Sequence, residues 1–413
     1  MADYRSYFLM KAGDVPEYVR KKLPDHFSKN AELECKEIGD GNLNYVFRVS
    51  DKKNNKTIIV KQAGQELRIS REMKISTDRG RIEAQILTLQ NSLAPGFVPH
   101  VYLYDEVMCA IIMEDMTEHK MMRTALLEHN IYPDFADQIS TFLVNTLLFT
   151  SDVVMDHKEK EKLSGDFINP DLCEISHDLV FSEPFLDYNS RNNVFESNKD
   201  FVKKELYDDT ALHLEAAKLK FCFLNNAQAL IHGDLHTGSV FINPDHIFVF
   251  DPEFAFYGPM GYDIGNIIAN MFFAYCNGEA CIDDDDKRKA FCDWSLKCGP
   301  DIIDLFIQKF NKAYDENVND PMAKTKGFKE YYMNKILSDT FGMAGLELIR
   351  RTVGMANVKD ITSISDETKR TRAERIIITA AKRLIMERDD IKNGNDYLNI
   401  ISGSNSDFSF DIN

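Results

Sequence analysis

The stretch His232-Gly233-Asp234-Leu235-His236 sets a carboxylate directly after a His-Gly turn and just before a short apolar run, Val240 to Ile242. A carboxylate in such a turn can orient an attacking hydroxyl and accept its proton late in the reaction. The plain alternative is a turn aspartate with no chemical task. A second apolar run, Ile247 to Phe250, delivers Asp251 and Glu253 in D-x-E spacing, which puts both carboxylates on one side of an extended chain. Paired hard oxygen ligands suit Mg²⁺. Because Asp234 lies only a hairpin upstream, an acidic strand end without function is the weaker account of that pair. A proton-accepting carboxylate beside a Mg²⁺ pair is the equipment of phosphoryl transfer, in which a protein mostly positions groups and neutralises charge.

The same chemistry needs a phosphate cradle and a cation. Gly39 and Gly41, in Ile38-Gly39-Asp40-Gly41-Asn42-Leu43-Asn44, let backbone N–H groups approach an anion because no Cβ intervenes. Asn44 stands where a third glycine would complete the pattern, and its amide can donate to a phosphate oxygen instead. Taken alone, two such glycines more often make a plain hairpin turn. Lys61 sits in the apolar strand Ile58 to Ala63, one hairpin beyond the glycines, so its ammonium can reach back to the α- and β-phosphates. A solvated strand-face lysine is the commoner fate of that residue type. Glu83, in the helical pattern that follows, is the candidate orienter of Lys61 and fits a surface position equally well.

Asp263, opening an apolar helix in Gly261-Tyr262-Asp263-Ile264-Gly265, reads as a helix N-cap or a brace for the Asp234 loop. Arg350 and Arg351 are adjacent late in another helical pattern, where paired arginines usually face solvent.

These residues must be positioned by a chain of 413 residues, long enough for two lobes or domains. The order of patterns is that of an α+β fold. Glu32 to Ile38, Tyr45 to Ser50 and Thr57 to Ala63 read as antiparallel strands, with Asn54-Asn55 at a polar hairpin tip. Arg79 to Asn91 has helical spacing, and Val98 to Tyr104 and Met108 to Met113 read as two more strands. Beyond about residue 117 helical patterns dominate, over 134–157, 198–228, 262–276, 286–298, 301–316, 328–357 and 366–390. They are interrupted at 230–258, the segment that holds Asp234, Asp251 and Glu253. No alternating βαβ pattern and no G-x-x-x-x-G-K-[ST] appears, which argues against Rossmann and P-loop folds.

Composition narrows the partners. A formal net charge of -17 opposes binding to nucleic acid or anionic membranes. The eight cysteines form no C-x-x-C pair and read as scattered reduced thiols. The first 25 residues are charged throughout and no apolar run reaches a bilayer span, so the expected location is the cytoplasm.

Taken together, GDGN, the strand lysine, HGDLH and the D-x-E strand resemble the aminoglycoside-phosphotransferase and choline-kinase-like relatives of protein kinases. Three stretches, EIGDGNLNYVFRV at 37–49, HGDLHTGSVFI at 232–242 and DPEFAFYGPMGYDIGN at 251–266, are similar to the methylthioribose kinase family in particular. The resemblance runs from about residue 32 to about residue 390. It implies a protein-kinase-like two-lobed α+β fold, with a small antiparallel-sheet lobe over 1–116 and a larger, mainly helical lobe over 117–413. It implies transfer of the ATP γ-phosphate to the 1-hydroxyl of 5-methylthioribose in methionine salvage, with Mg²⁺ as the metal.

By the same resemblance, Asp234 is the base and touches the sugar, while Asp251 and Glu253 hold Mg²⁺. Lys61, with Glu83 as its orienter, and Asn44 hold phosphates, beside Gly39 and Gly41. Glu114, Asp115 and Met116 form a hinge whose backbone pairs with adenine, and Arg350 and Arg351 bind sugar oxygens. A homodimer is also implied. Two departures stand out. Ser239 replaces the metal-binding Asn of the protein-kinase loop, and the segment between Lys61 and Glu83 lacks a family tryptophan, with Met73 roughly in its place.

Two other readings compete. One is a kinase of a different small hydroxyl substrate, such as an aminoglycoside, choline or homoserine, although twin arginines suit cationic acceptors poorly. The other is a pseudokinase binding module, which predicts loss of Lys61, Asp234 or Asp251; all three are present.

Overall fold

The computed structural model describes residues 4–38, 44–64 and 76–407, with side chains through 404. The chain folds as two compact units, residues 1–119 with 248–255, and residues 120–247 with 256–413. The sequence pattern grouped 248–255 with the helical half; the structure groups this short segment, which carries Asp251 and Glu253, with the sheet.

The first unit is built on strands β1 (Leu33–Glu37), β2 (Asn44–Asp51), β3 (Lys56–Ala63), β4 (Val101–Asp105) and β5 (Ala110–Met113), in the order β1-β2-β3-β5-β4 with every pairing antiparallel. Alternation along β2 and β3 sends Phe47, Val49, Ile58 and Val60 to one face. There they meet Tyr4, Met10, Tyr18 and Val19, the last two on helix α1 (Val15–Lys22). The sequence reading did not anticipate α1, because its stripe of Val15, Tyr18 and Val19 is short and set among charges. The opposite face of β3 carries Ile59 and Lys61 toward helix α2 (Arg79–Leu93). β3 is therefore covered on both sides, and Lys61 is buried rather than solvated.

The second unit is mainly helical. The helices Gly261–Cys281, Phe328–Val353 and Glu367–Met386 pack on one another. Gly261 and Gly265 make the first contact close. A Cβ at Gly261 would stand 2.5 Å from the Thr340 nitrogen, and one at Gly265 would stand 2.6 Å from the Thr340 carbonyl oxygen. Of the boundaries that differ from the sequence pattern, two are instructive. The expected break at Gly299-Pro300 is absent, and a single helix runs Asp285–Asn317 with Pro300 inside it. Packing overrides the proline here: Gly299 lies against Tyr397 and the Pro300 carbonyl against Gly394, so a neighbouring helix, Gly394–Asp407, crosses at that point. Conversely, the pattern over 198–228 is divided, and its long helix is Thr210–Asn225, capped by Asp209.

The remaining feature that matters for chemistry is a short ribbon. Ala229–Ile231 pairs antiparallel with Phe256–Gly258, and the chain leaves Ile231 directly into His232-Gly233-Asp234.

Candidate active site

In the first unit, Lys61 Nζ lies 2.7 Å from Glu83 Oε2 and also donates to Asp251 Oδ1. β3 supplies the lysine, α2 the glutamate, and the returning segment 248–255 the aspartate. Asp251 adopts the left-handed backbone, at φ +66, rare for a non-glycine residue and a mark of a constrained site. Glu253 is held from two sides, by Asn44 Nδ2 donating to its Oε2 at 2.9 Å and by Arg79 Nε at 3.3 Å. Arg79 also donates to the carbonyls of Gly64 at 2.9 Å and Ser76 at 2.7 Å.

One carboxylate oxygen from each of Glu83, Asp251 and Glu253 lies within 4.8 Å of the others. Three carboxyl groups face the two cations Lys61 and Arg79, so ionising all three at once leaves one negative charge uncompensated. Burial pulls the Lys61 pKa down, but Asp251 and Glu83 outweigh it and hold the ammonium more tightly protonated than usual. Burial pushes Glu83 up to about 8 despite Lys61, and it raises Glu253 too, helped by Asp251. Crowded, desolvated oxygen ligands of this kind fit a hard divalent cation, and Mg²⁺ in particular. Gly39, Gly41 and Met73 lie outside the described residues.

Glu114, Asp115 and Met116 follow β5. The Asp115 carboxylate takes a two-point bond from Arg48, at 2.7 and 3.0 Å, which fixes the segment against β2. The Glu114 N–H donates to the His100 carbonyl at 2.9 Å, and the Met116 carbonyl accepts from the His119 N–H at 3.0 Å.

In the second unit, Asp234 stands after Gly233, whose φ of +82 turns the chain sharply. Asp263 braces the turn. Its carboxylate accepts from the N–H groups of His232 at 2.7 Å and Gly233 at 3.0 Å, which makes it a loop brace and not a helix cap. Arg350 Nη2 donates to Asp234 Oδ1 at 3.0 Å, and Arg351 Nη2 lies 3.7 Å from the same oxygen. The arginines are themselves aimed by the fully buried Glu347, which accepts from Arg350 Nε and, at 3.3 Å, from Arg351 Nε. Neither arginine faces solvent, contrary to the usual fate of adjacent helical arginines.

His236 completes the setting. Its Nδ1 accepts from the Gly238 N–H at 3.0 Å, so the proton of the neutral ring sits on Nε2, 3.4 Å from Asp234 Oδ2. Burial lowers the His236 pKa to about 4 in spite of Asp234, which keeps the ring neutral near pH 7. Burial works to raise the Asp234 pKa, but His236, Arg350 and Arg351 overcome it and hold the carboxyl well below its usual range. An ionised carboxylate in this state fixes a hydroxyl by accepting its hydrogen bond, and it takes a proton only once the oxygen has lost charge density to a new bond.

Sequence reasoning gave no role to Glu347, His236, Arg79 or Arg123. Glu347 was legible: it precedes Arg350 by three residues and Arg351 by four, the spacing of helical ion pairs. His236 lies inside the motif that marked Asp234. Arg79 carries no local signal, and neither does Arg123 on the short helix Met122–Leu127: only tertiary packing brings the first to Glu253 and the second to within 3.7 Å of Asp360.

A model of the phosphotransferase enzyme family matches residues 34–284. The methylthioribose kinase of Geobacillus sp. strain WCH70 is 38% identical over 384 residues, which cover 93% of this chain and 92% of that protein. The methylthioribose kinase of Bacillus velezensis is also 38% identical, over 89% of this chain and 90% of its own. Among solved structures, choline kinase from Cryptosporidium parvum Iowa II is 14% identical with a TM-score of 0.47, covering 96% of each chain. The α+β fold, with a small antiparallel sheet and a mainly helical remainder, is the protein-kinase-like fold.

Proposed function

The chain belongs to the methylthioribose kinase family, and we propose on that footing that it transfers the γ-phosphoryl group of ATP to the 1-hydroxyl of 5-methylthioribose, giving the 1-phosphate for methionine salvage. The observation that carries this reading is the Asp234 carboxylate gripped by Arg350 and ringed by buried, pre-aimed groups. Asp234 accepts the hydrogen bond of the sugar hydroxyl. As the new O–P bond forms and the bond to the leaving ADP breaks, the hydroxyl proton passes to Asp234. Arg350 and Arg351 bind sugar oxygens and balance charge near the attacked phosphorus. Lys61, aimed by Glu83, and Asn44 contact phosphates, a task the resemblance also gives to Gly39 and Gly41. Asp251 and Glu253 are the residues that would hold Mg²⁺, which neutralises phosphate charge when bound. By the family resemblance, the backbone of Glu114–Met116 is the hinge we assign to the adenine edge, with the Glu114 N–H and the Met116 carbonyl already engaged by His100 and His119.

Among the described residues, no helix is long and apolar enough to cross a membrane. Location in the cytoplasm and a homodimeric state belong to the same reading; sedimentation of the purified chain tests the second.

The deciding experiment is a coupled ADP-release assay with Mg-ATP, offering 5-methylthioribose beside ribose, choline, homoserine and kanamycin. Turnover with methylthioribose alone is expected. Turnover with another acceptor would keep the fold and discard the salvage role, and silence on all five would turn the chain into a binding module.

A further inference from the structure

Arg123, on the short helix Met122–Leu127, ends in the same polar network as Asp234 yet has no task in the reading above. Its Nη2 donates to Asn270 Oδ1 at 3.1 Å. Thr237 Oγ1 donates to that oxygen too, at 3.1 Å, and the Asn270 amide nitrogen donates to Glu347 Oε1 at 3.2 Å. One buried asparagine thus ties Arg123 to the loop after Asp234 and to the carboxylate that aims Arg350 and Arg351. The rest of the Arg123 head is underused. Among the described residues its Nε is buried without a hydrogen bond, a carboxylate oxygen, Asp360 Oδ2, standing 3.7 Å away, and that oxygen is equally without one. Its Nη1 has no hydrogen-bond partner among the described residues. A Cβ at position 238 would stand 3.0 Å from that Nη1, so Gly238 leaves the space in which the guanidinium lies beside the catalytic loop. A guanidinium offers five donors, and a buried one left part-satisfied carries a desolvation penalty that a ligand can relieve.

We propose that Arg123 is a third acceptor-binding arginine, whose Nη1 donates to hydroxyl oxygens of a polyol seated against Asp234. This rests on the acceptor being a sugar. The pairing of charges agrees with an uncharged polyol: Asp234, Glu347 and Asp360 each lie against one of Arg123, Arg350 and Arg351, and the further buried carboxylate, Asp263, is taken up by the N–H groups of His232 and Gly233, so none of the four stands ready for a cationic acceptor.

The test compares wild type with Arg123→Gln, and with Arg123→Lys in case loss of the buried charge beside Asp360 prevents folding. Acceptor KM and ATP KM are measured separately, together with the rise in Tm that methylthioribose causes without ATP. The expected result is an acceptor KM raised by ~10–100-fold, the range for losing hydrogen bonds to a charged group. ATP KM stays unchanged, and the methylthioribose-induced rise in Tm disappears. A purely structural arginine would lower Tm and leave acceptor KM and the ligand-induced shift as in wild type; that result overturns the proposal. Wild-type turnover of methylthioribose with unaltered variants would sink this inference alone. Wild-type turnover of only choline or kanamycin would sink it and the proposed function together. The shift in Tm decides the matter even where turnover is absent.

Discussion

Arg350 Nη2 and Asp234 Oδ1 meet at 3.0 Å, joining the end of the helix Phe328–Val353 to the turn after Gly233. The contact orients the carboxylate and keeps it ionised, leaving Oδ2 on the side of His236. Asp234→Asn preserves the shape but can no longer accept the proton. The expected outcome is a fall in kcat of ~10²–10⁴, the usual share of a positioned proton acceptor, with ATP affinity unchanged. ADP release and calorimetric ATP titration check both halves. Near-normal turnover in the variant would remove Asp234 from the reaction.

Glu347 sits behind the arginines and touches neither acceptor nor phosphate in the proposed mechanism, so its effect must pass through them. Glu347→Gln removes the charge that aims both guanidiniums. Breaking a buried pair of this kind costs about 3–5 kcal/mol of stability. Acceptor KM should rise while ATP KM holds, and Arg350→Ala should do the same. Because both changes disable one unit, the double variant should lose far less than the sum of the two. Fully additive losses in acceptor affinity would show that Glu347 does not work through Arg350.

Residues whose placement is written in local order were readable before any coordinates. Asp234, Asp251 and Glu253 each follow a short apolar strand, and β-branched residues around Lys61 marked β3. What stayed hidden was set by packing across the chain. Nothing near Arg79 announces that it will reach Glu253, and nothing near Arg123 announces Asn270, 147 residues away. Pro300 misled for the same reason: its local cost is real, but the crossing of Tyr397 and Gly394 over Gly299-Pro300 outweighs it. On the helix pattern alone the twin arginines read as solvent-facing, because such a pattern does not say which polar face another helix will cover; only the resemblance assigned them to the sugar.

His236 gives a pH signature. Its native pKa is about 4, below the ordinary 6.5, because burial disfavours the charged ring. Below pH 6.5 the unfolded chain takes up this proton and the native protein does not, so stability falls with pH from about 6.5 to about 4. Over that window the loss from this one residue is at most about 3 kcal/mol. Asp234, whose native pKa is depressed, contributes with the same sign but only below the ordinary carboxylate range. Melting temperature measured from pH 7 to pH 5 should therefore decline less steeply in His236→Gln than in wild type. Parallel declines would mean that the ring is not held neutral.

Lys61 is the cation that Glu83 and Asp251 share. Lys61→Met keeps the length of the stem and deletes the charge, leaving three carboxylates against Arg79 alone. The loss of stability is expected at about 3–5 kcal/mol, the scale for an uncompensated buried charge. ATP KM should also rise, since the lysine is the proposed phosphate contact. The informative measurement is the effect of Mg²⁺ on Tm without nucleotide. A divalent ion supplies the charge the variant lacks, so Mg²⁺ should raise the melting temperature of Lys61→Met more than that of wild type. Adding Asp251→Asn, which removes one of the three carboxylates, should shrink that gain. If Mg²⁺ moves the Tm of neither protein, Glu83, Asp251 and Glu253 do not form a metal site in the absence of ATP, and any metal must arrive already bound to the nucleotide.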